Sequence, residues 1–462
     1  MSFTNLLFLY LLLPATVLFY FMMPSVRRKN QVLIVSSLVM YAMGQPLQMG
    51  LMVGLSYINY KLALRTVPED RATMILPVAI NVCVLVLFRG LEFFLNKQTI
   101  FPMGLSFYVL AAISYLIDIY ENRIDPEKDF QNLLLYFVMF PKLLLGPLVR
   151  YEQISDQLIR RRHHPRDVFE GLRRFVMGLG KKVLLADFCS RILAQVNSTG
   201  ADTTLTGVWF AAILVLFQVY YLFSGYCDMA IGLGRVFGFR FCENFKYPYL
   251  ASSVSDFWRR WNISLSRFFR DYVYFPLGGK QLGKNRQVLN LLIVWVLTGL
   301  WYGNGWNYLL WGVYTFAVMV LEKHFIGTLD NISEGICRCI TLFLVLIGWI
   351  IFSHDNISDL QAAFLAIFGY GGFATEGLGT LIFRSLPLLA VCTLGCTKLP
   401  GDAARVFNGV CGMDPRWSKS NAVTALRILC VAVSVMVTSL LVWLCTVSLA
   451  ANGNAPLLWG IF

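Results

Sequence analysis

Between residues 224 and 286 of this 462-residue chain, ten Lys and Arg side chains crowd together with aromatics and turn formers, and chemistry is to be sought there first. Arg259, Arg260, Arg267 and Arg270 recur at helical spacing, and guanidinium forks suit the oxygens of a phosphate. A helix capped by Ser255, with Asp256 in its first turn and running to Tyr274, sets those four on one face. At about 100° per residue, Trp258, Trp261, Leu265, Phe268, Phe269 and Tyr272 share an arc of about 100° opposite them, with Asn262 at its edge. Pro276, Gly278 and Gly279 end the run. One reading is a site for a phosphate-bearing ligand arriving from the cytoplasm. The other is an interfacial anchor whose arginines snorkel toward the headgroups.

Proton transfer near neutral pH needs a suitable base, and imidazole is the ordinary choice. The four histidines are poorly placed for it: His163 and His164 fall in a basic loop, His324 follows Lys323 at a span end, and His354 lies near another span end. Each reads as a polar loop residue. Asp228 sits beside Gly225 and Gly232 in apolar surroundings and is expected to pair with an arginine such as Arg235. Arg89 and Lys142, within or at the ends of apolar runs, read as snorkelling groups or buried pairs. Eleven scattered cysteines imply no disulfide framework, and Cys337-x-Cys339 and Cys392-xxx-Cys396 lack partners at zinc spacing, so no metal is expected.

Elements must hold these groups, and composition says which. At 57% hydrophobic and 14% charged, the chain is too apolar for a soluble protein, and its 15% aromatics suit interfacial belts. Apolar runs near 4–24, 31–54, 72–95, 100–120, 132–150, 171–195, 205–223, 288–303, 306–322, 336–353, 358–372, 378–397 and 423–446 are candidate spans. The first lacks the basic start and cleavage site of a signal peptide and reads as a retained helix. The net charge of +13 is spread over short loops, so membrane lipid is the expected partner and nucleic acid is not. Arg27, Arg28 and Lys29, and then Arg160, Arg161, Arg162, Arg166, Arg173 and Arg174, mark cytoplasmic loops separated by four spans. That arrangement puts the amino terminus outside the cytoplasm, the acidic 118–129 segment and Asn197–Thr204 outside as well, and the 398–420 loop inside. No repeat or linker divides the chain, so one integral membrane domain over 1–462 is expected.

Ser224-Gly225-Tyr226-Cys227-Asp228-Met229-Ala230-Ile231-Gly232 and Asn244-Phe245-Lys246-Tyr247-Pro248-Tyr249-Leu250 resemble the signature of bacterial membrane-bound O-acyltransferases, the MBOAT family. Asp256-Phe257-Trp258-Arg259-Arg260-Trp261-Asn262-Ile263-Ser264-Leu265-Ser266 and Arg270-Asp271-Tyr272-Val273-Tyr274-Phe275-Pro276-Leu277-Gly278-Gly279 resemble the branch containing the alginate O-acetyltransferases, with teichoic acid D-alanine transferases more distant. Pro102–Tyr108 and Gly146–Tyr151 extend the likeness to about 100–325; beyond Lys323 it rests on hydrophobicity alone. The resemblance implies an all-α polytopic fold, a ring of about 11–13 transmembrane or re-entrant helices around a central funnel where a cytoplasmic acyl thioester meets an acceptor hydroxyl.

Where that family reads Trp-His-Gly, this chain reads Trp301-Tyr302-Gly303; Asn262 and Thr315 stand where many relatives have further histidines. A phenol of pKa about 10 is a poor general base at pH 7 but a good hydrogen-bond donor. The resemblance therefore implies that Tyr302 stabilises a thioester oxyanion and Asn262 orients the acceptor, with Asp228, Asp271 or water taking the proton. Trp258, Arg259, Arg260, Trp261, Ser264, Arg267, Arg270 and Trp301 are the expected donor-binding or funnel residues. An O-acyltransferase would move an acyl group, such as acetyl, from acyl-CoA or an acyl carrier protein to an envelope polysaccharide or similar hydroxyl, with no bound cofactor and with envelope-modification proteins as partners. A chain without the histidines is alternatively a pseudoenzyme that binds acyl lipid or scaffolds such a complex. A transporter would show internal repeats, and none stands out.

Overall fold

The computed structural model describes residues 3–95, 101–143, 145–329, 333–411 and 421–452. Helices α1 (Leu13–Met22) and α2 (Val26–Ala42) are joined at a turn where the Ser25 side chain caps α2. Helix α3 (Pro46–Ala63) starts on Pro46, whose fixed φ suits a first helical turn, so the apolar 31–54 run is a hairpin of two helices and not one span. Helices α4 (Arg71–Leu95) and α5 (Leu105–Tyr120) follow, and α5 begins after Gly104 in the left-handed conformation.

The 132–150 run does not cross. Helix α6 (Phe130–Val138) enters, the backbone turns through Phe140–Leu143, and α7 (Tyr151–Ile159) returns to the face it left. Gln131 Nε2 donates to the Arg27 carbonyl at 3.0 Å, Asn30 Nδ2 to the Leu158 carbonyl at 2.9 Å, and Arg27 reaches Asp129 at 3.9 Å. The acidic 118–129 segment thus shares a face with the basic loops instead of lying opposite. Four helices, α2 to α5, still separate the two basic clusters, so those clusters do share a face.

Helix α8 (Pro165–Gly180), a π-helical stretch over Lys181–Ala186 and α9 (Asp187–Ser198) form one continuous rod, and α10 (Leu205–Val236) runs back along it. Glycine makes the contact possible: a Cβ on Gly178 would lie 2.6 Å from the Gly225 carbonyl oxygen, and one on Gly232 2.5 Å from that of Gly171. Residues 224–236 therefore continue a span, because Asp228 is neutralised by Arg174 and Lys181 on the neighbouring rod. Arg235, its expected partner, pairs with Asp167 and Glu170 instead.

Two short helices, α11 (Val254–Arg260) and α12 (Ile263–Phe269), precede α13 (Lys284–Tyr302), α14 (Trp306–Leu329), α15 (Glu334–Ser353), α16 (Ile357–Ile367), α17 (Leu378–Gly395), α18 (Leu399–Cys411) and α19 (Asn421–Asn452). Lys398 and Arg405 belong to α18 and its start, while Arg416 and Lys419 lie outside the described residues. Among the described residues the elements are all helical, and five stretches are long and apolar enough to cross a membrane by length and composition: Arg71–Glu92, Leu205–Val236, Glu334–Ser353, Leu378–Gly395 and Ile428–Ala451. The protein is an all-α, multi-pass membrane protein.

Candidate functional site

The expected helix over 255–274 is broken at Trp261–Asn262, and its cap is Ser253, whose side chain accepts from the Asp256 N–H, not Ser255. Asn262 takes φ +42°, a left-handed conformation that Asn tolerates better than most residues. Asn244 imposes the break: its carbonyl accepts from Ile263 N at 3.0 Å, its Oδ1 from Ser264 N at 2.8 Å, and its Nδ2 donates to Asn262 Oδ1 at 3.0 Å. The same amide donates to Cys227 Sγ at 3.2 Å, which ties the loop to α10. With its oxygen engaged, the Asn262 amide directs Nδ2 to Tyr302 Oη at 3.5 Å, the outer limit of a hydrogen bond. Since Asn262 donates, Tyr302 keeps its own proton to offer.

Tyr302 ends α13 inside an aromatic cage, with ring centroids of Trp301, Trp311, Phe352 and Phe223 at 5.0, 5.3, 5.7 and 6.0 Å. On the far side a polar knot holds the helix end. Arg89 donates to the Trp301 carbonyl at 3.1 Å, one of the last-turn carbonyls that a helix leaves without a partner. The Arg89 guanidinium stacks on Phe101 at 4.2 Å and pairs with Glu92 at 3.1 Å, and Glu92 also accepts from Asn304 Nδ2 at 2.8 Å. Both side chains of the pair are only about a tenth exposed, 10% and 9%.

A cavity of about 460 Å³ opens between α11, α12, α13 and α14. Along α13 its wall is the stripe Gln287, Leu291, Val294, Trp295, Thr298 and Tyr302. At about 1.5 Å per residue that stripe rises roughly 22 Å. Asn262 and Tyr302 form its inner end; Trp258, Trp261 and Leu265 line the bore; Arg259, Arg267, Arg270, Lys280 and Lys323 ring the outer part. Arg259 and Arg270 also touch Asp256 and Asp271, whereas Arg267, Lys280 and Lys323 carry no ion pair among the described residues. The aromatic face of α11 and α12 is thus buried in protein: Trp261 is 1% exposed and Phe268 4%. It does not rest on lipid.

Five expected residues stand off the cavity wall. Asp228 is held by Arg174 and Lys181, and Asp271 by Arg150 and Arg270, so neither carboxylate reaches Tyr302. Arg260 pairs with Asp256 at 2.7 Å, Ser264 accepts from Leu148 N at 2.9 Å, and Trp301 packs edge-on to Phe107 at 5.4 Å. Among the described residues, no His, Asp or Glu lines the cavity. Thr315 donates to the Trp311 carbonyl at 2.8 Å; His163 meets Tyr20 at 2.8 Å and His354 the Ile350 carbonyl at 2.8 Å; the His324 side chain lies outside the described residues. Asn244, Arg89, Glu92, Asn304 and Trp311 take structural parts that residue types alone do not reveal, although Asn244 opens one of the quoted motifs.

A model of the MBOAT, membrane-bound O-acyltransferase family matches residues 98–352. The "Probable alginate O-acetylase AlgI" of Pseudomonas syringae pv. tomato is 34% identical over 418 residues, covering 85% of this chain and 80% of that protein. The peptidoglycan O-acetyltransferase of Helicobacter pylori is 30% identical over 419 residues, 79% of each chain. The teichoic acid D-alanyltransferase of Bacillus subtilis is 23% identical over 233 residues, 48% of this chain and 59% of that one. Likeness therefore reaches well past the 100–325 stretch, into α15, whose Trp349 and Phe352 pack around Trp311. With a family model over more than half its length and relatives aligned across most of it, this chain belongs to the membrane-bound O-acyltransferase family.

Proposed function

We propose that this protein is an O-acyltransferase that moves a short acyl group from a phosphopantetheine thioester, carried by coenzyme A or an acyl carrier protein, to a hydroxyl of a cell-envelope polysaccharide. The observation that carries this reading is the cavity: cations without an ion pair among the described residues at its outer part, a largely apolar wall, and two hydrogen-bonded polar side chains at its inner end. Phosphates suit Arg267, Lys280 and Lys323, and the roughly 22 Å of bore suits an extended arm rather than a compact ligand. The names of the alginate and peptidoglycan relatives support a polysaccharide acceptor. Envelope-modification proteins would then be its partners, the basic face cytoplasmic, and the amino terminus on the other side.

In this reading the Tyr302 hydroxyl donates to the thioester carbonyl oxygen as negative charge develops on it, and Asn262 holds both Tyr302 and the acceptor. The acceptor oxygen attacks the carbonyl carbon, the C–S bond breaks, and the acceptor's proton passes to the departing thiolate directly or through water. That route needs no protein base, in keeping with described lining residues that include no His, Asp or Glu.

The replacement of the family's histidines by Tyr302, Asn262 and Thr315 favours a second reading, in which the chain binds the thioester without turning it over and serves as a scaffold. Purified full-length protein in lipid nanodiscs, given acetyl-CoA and an acceptor polysaccharide, separates the two. Transfer by the wild type, lost by about 10²–10³-fold in Tyr302→Phe, supports the first. Binding without transfer, with transfer gained only in Tyr302→His, supports the second. No binding of any acyl-CoA overturns both.

A further inference from the structure

Behind the cavity lies a smaller one, of about 20 Å³, between α11, α14 and α15. Its apolar walls include Val254, Val318, Leu344 and Val345, and Gly348 leaves one side without a side chain. Among the described residues, one borders both spaces: Trp258 lines the larger cavity and this side pocket. Its ring packs edge-on to Trp295 at 4.8 Å and to Trp311 at 5.4 Å, and Trp311 in turn packs on Tyr302 at 5.3 Å. The partition therefore stands one ring away from the inner end of the cavity. The Trp258 indole N–H is buried and has no hydrogen-bond partner, so packing alone holds the ring in place.

We infer that Trp258 sets the length of acyl chain this protein accepts, and that the side pocket is an extension of the acyl subsite beyond that ring. The inference rests on the thioester reading above. A carbonyl placed at Tyr302 has its tail hemmed in by the aromatic cage, since Phe223, Trp301 and Phe352 close the other sides. An apolar tail must leave water to be bound, and behind the Trp258 wall lies unfilled apolar volume. With the indole present, only a short acyl group fits. Removing it joins the two spaces into one apolar chamber.

The test is the affinity of the full-length protein in nanodiscs for acetyl-, butanoyl-, hexanoyl- and octanoyl-CoA, measured by titration calorimetry, so that turnover is not required. Wild type is expected to favour acetyl-CoA over hexanoyl-CoA by roughly tenfold or more, in line with the discrimination that apolar pockets reach per misfitted methylene. Trp258→Ala reverses the order. Trp258→Leu, a milder change retained in case alanine fails to fold, moves the optimum partway, toward butanoyl-CoA. Adding Gly348→Leu to either variant refills the side pocket from its far wall and restores the short-chain preference; room exists there, since a Cβ on Gly348 meets nothing closer than 3.4 Å. If wild type binds acetyl-CoA and the chain-length order is the same in folded Trp258→Leu, the partition role is refuted while the thioester reading stands. If wild type binds no acyl-CoA, the thioester reading fails and this inference fails with it.

Discussion

Replacing Asn244 by alanine tests whether the site is built from its loop or merely contains it. The substitution removes three side-chain hydrogen bonds, to Ser264 N at 2.8 Å, Asn262 Oδ1 at 3.0 Å and Cys227 Sγ at 3.2 Å. Ser264 N–H is left buried without a partner, which costs about 1–3 kcal/mol. Asn262 Oδ1 borders the cavity and can turn to water there, so its loss is nearer the net value of one hydrogen bond, about 1 kcal/mol. Together they amount to about 2 kcal/mol or more against the shape that holds Asn262 at φ +42° beneath Tyr302. In a binding constant that is roughly thirtyfold. Titration of acetyl-CoA into the nanodisc protein reads the loss directly. A cycle with Asn262→Gly, a residue that takes the left-handed conformation without strain, isolates the Asn244–Asn262 bond. Because that bond is already absent in Asn262→Gly, adding Asn244→Ala should cost about 1 kcal/mol less than it does alone. If the two substitutions add to within about 0.3 kcal/mol, the idea that Asn244 works through Asn262 is wrong.

Further outcomes follow from other contacts. Arg89→Met leaves Glu92 charged and nearly buried, so it should lower stability by about 3–5 kcal/mol, while Arg89→Met with Glu92→Leu should recover most of that in thermal unfolding. Gly178→Ala forces a methyl group onto the Gly225 carbonyl at 2.6 Å and should cost at least about 1–3 kcal/mol, read as a lower Tm of the solubilised protein. Burial, reinforced by Lys29 and Arg161, holds the His163 ring below its ordinary pKa. The unfolded chain therefore binds the extra proton first, stability is full above about pH 6.5 and falls as the pH drops below it, and His163→Gln should flatten that part of the Tm profile.

Motifs made Asn262 and Tyr302 legible as a pair, but helical spacing set Arg259, Arg260, Arg267 and Arg270 opposite the aromatic stripe, whereas Arg259, Arg267 and Arg270 line one cavity with Trp258, Trp261 and Leu265, and Arg260 stands off it. What spacing could not reveal is that the segment bends between them. Asn244 lies 18 positions upstream of Asn262, and local helical preference carries no trace of a partner that distant. The Arg89 contact to Trp301 joins residues 212 positions apart and was equally invisible. Hydrophobicity misled at 132–150, where Tyr136, Phe137 and Phe140 are covered by protein rather than lipid; burial from either source yields the same apolar run. Pro141, Gly146 and Pro147 interrupt that run and are the signal for re-entry. Likewise Gly44-Gln45-Pro46 marks the turn inside 31–54.

Backbone against backbone at Gly171, Gly178, Gly225 and Gly232 has a mechanical corollary. Where two helices meet through side chains alone, rotamers can reshuffle and let one slide past the other; at these four positions backbone meets backbone, and the flanking pairs Arg174–Asp228 and Arg235–Asp167 tie α8 and α10 further into a single girder. Cys227 and Asn244, and through them the loop beneath Tyr302, are bolted to that girder. The give that admits or releases a ligand is accordingly expected in the opposite wall, α13 and α14, rather than in the girder.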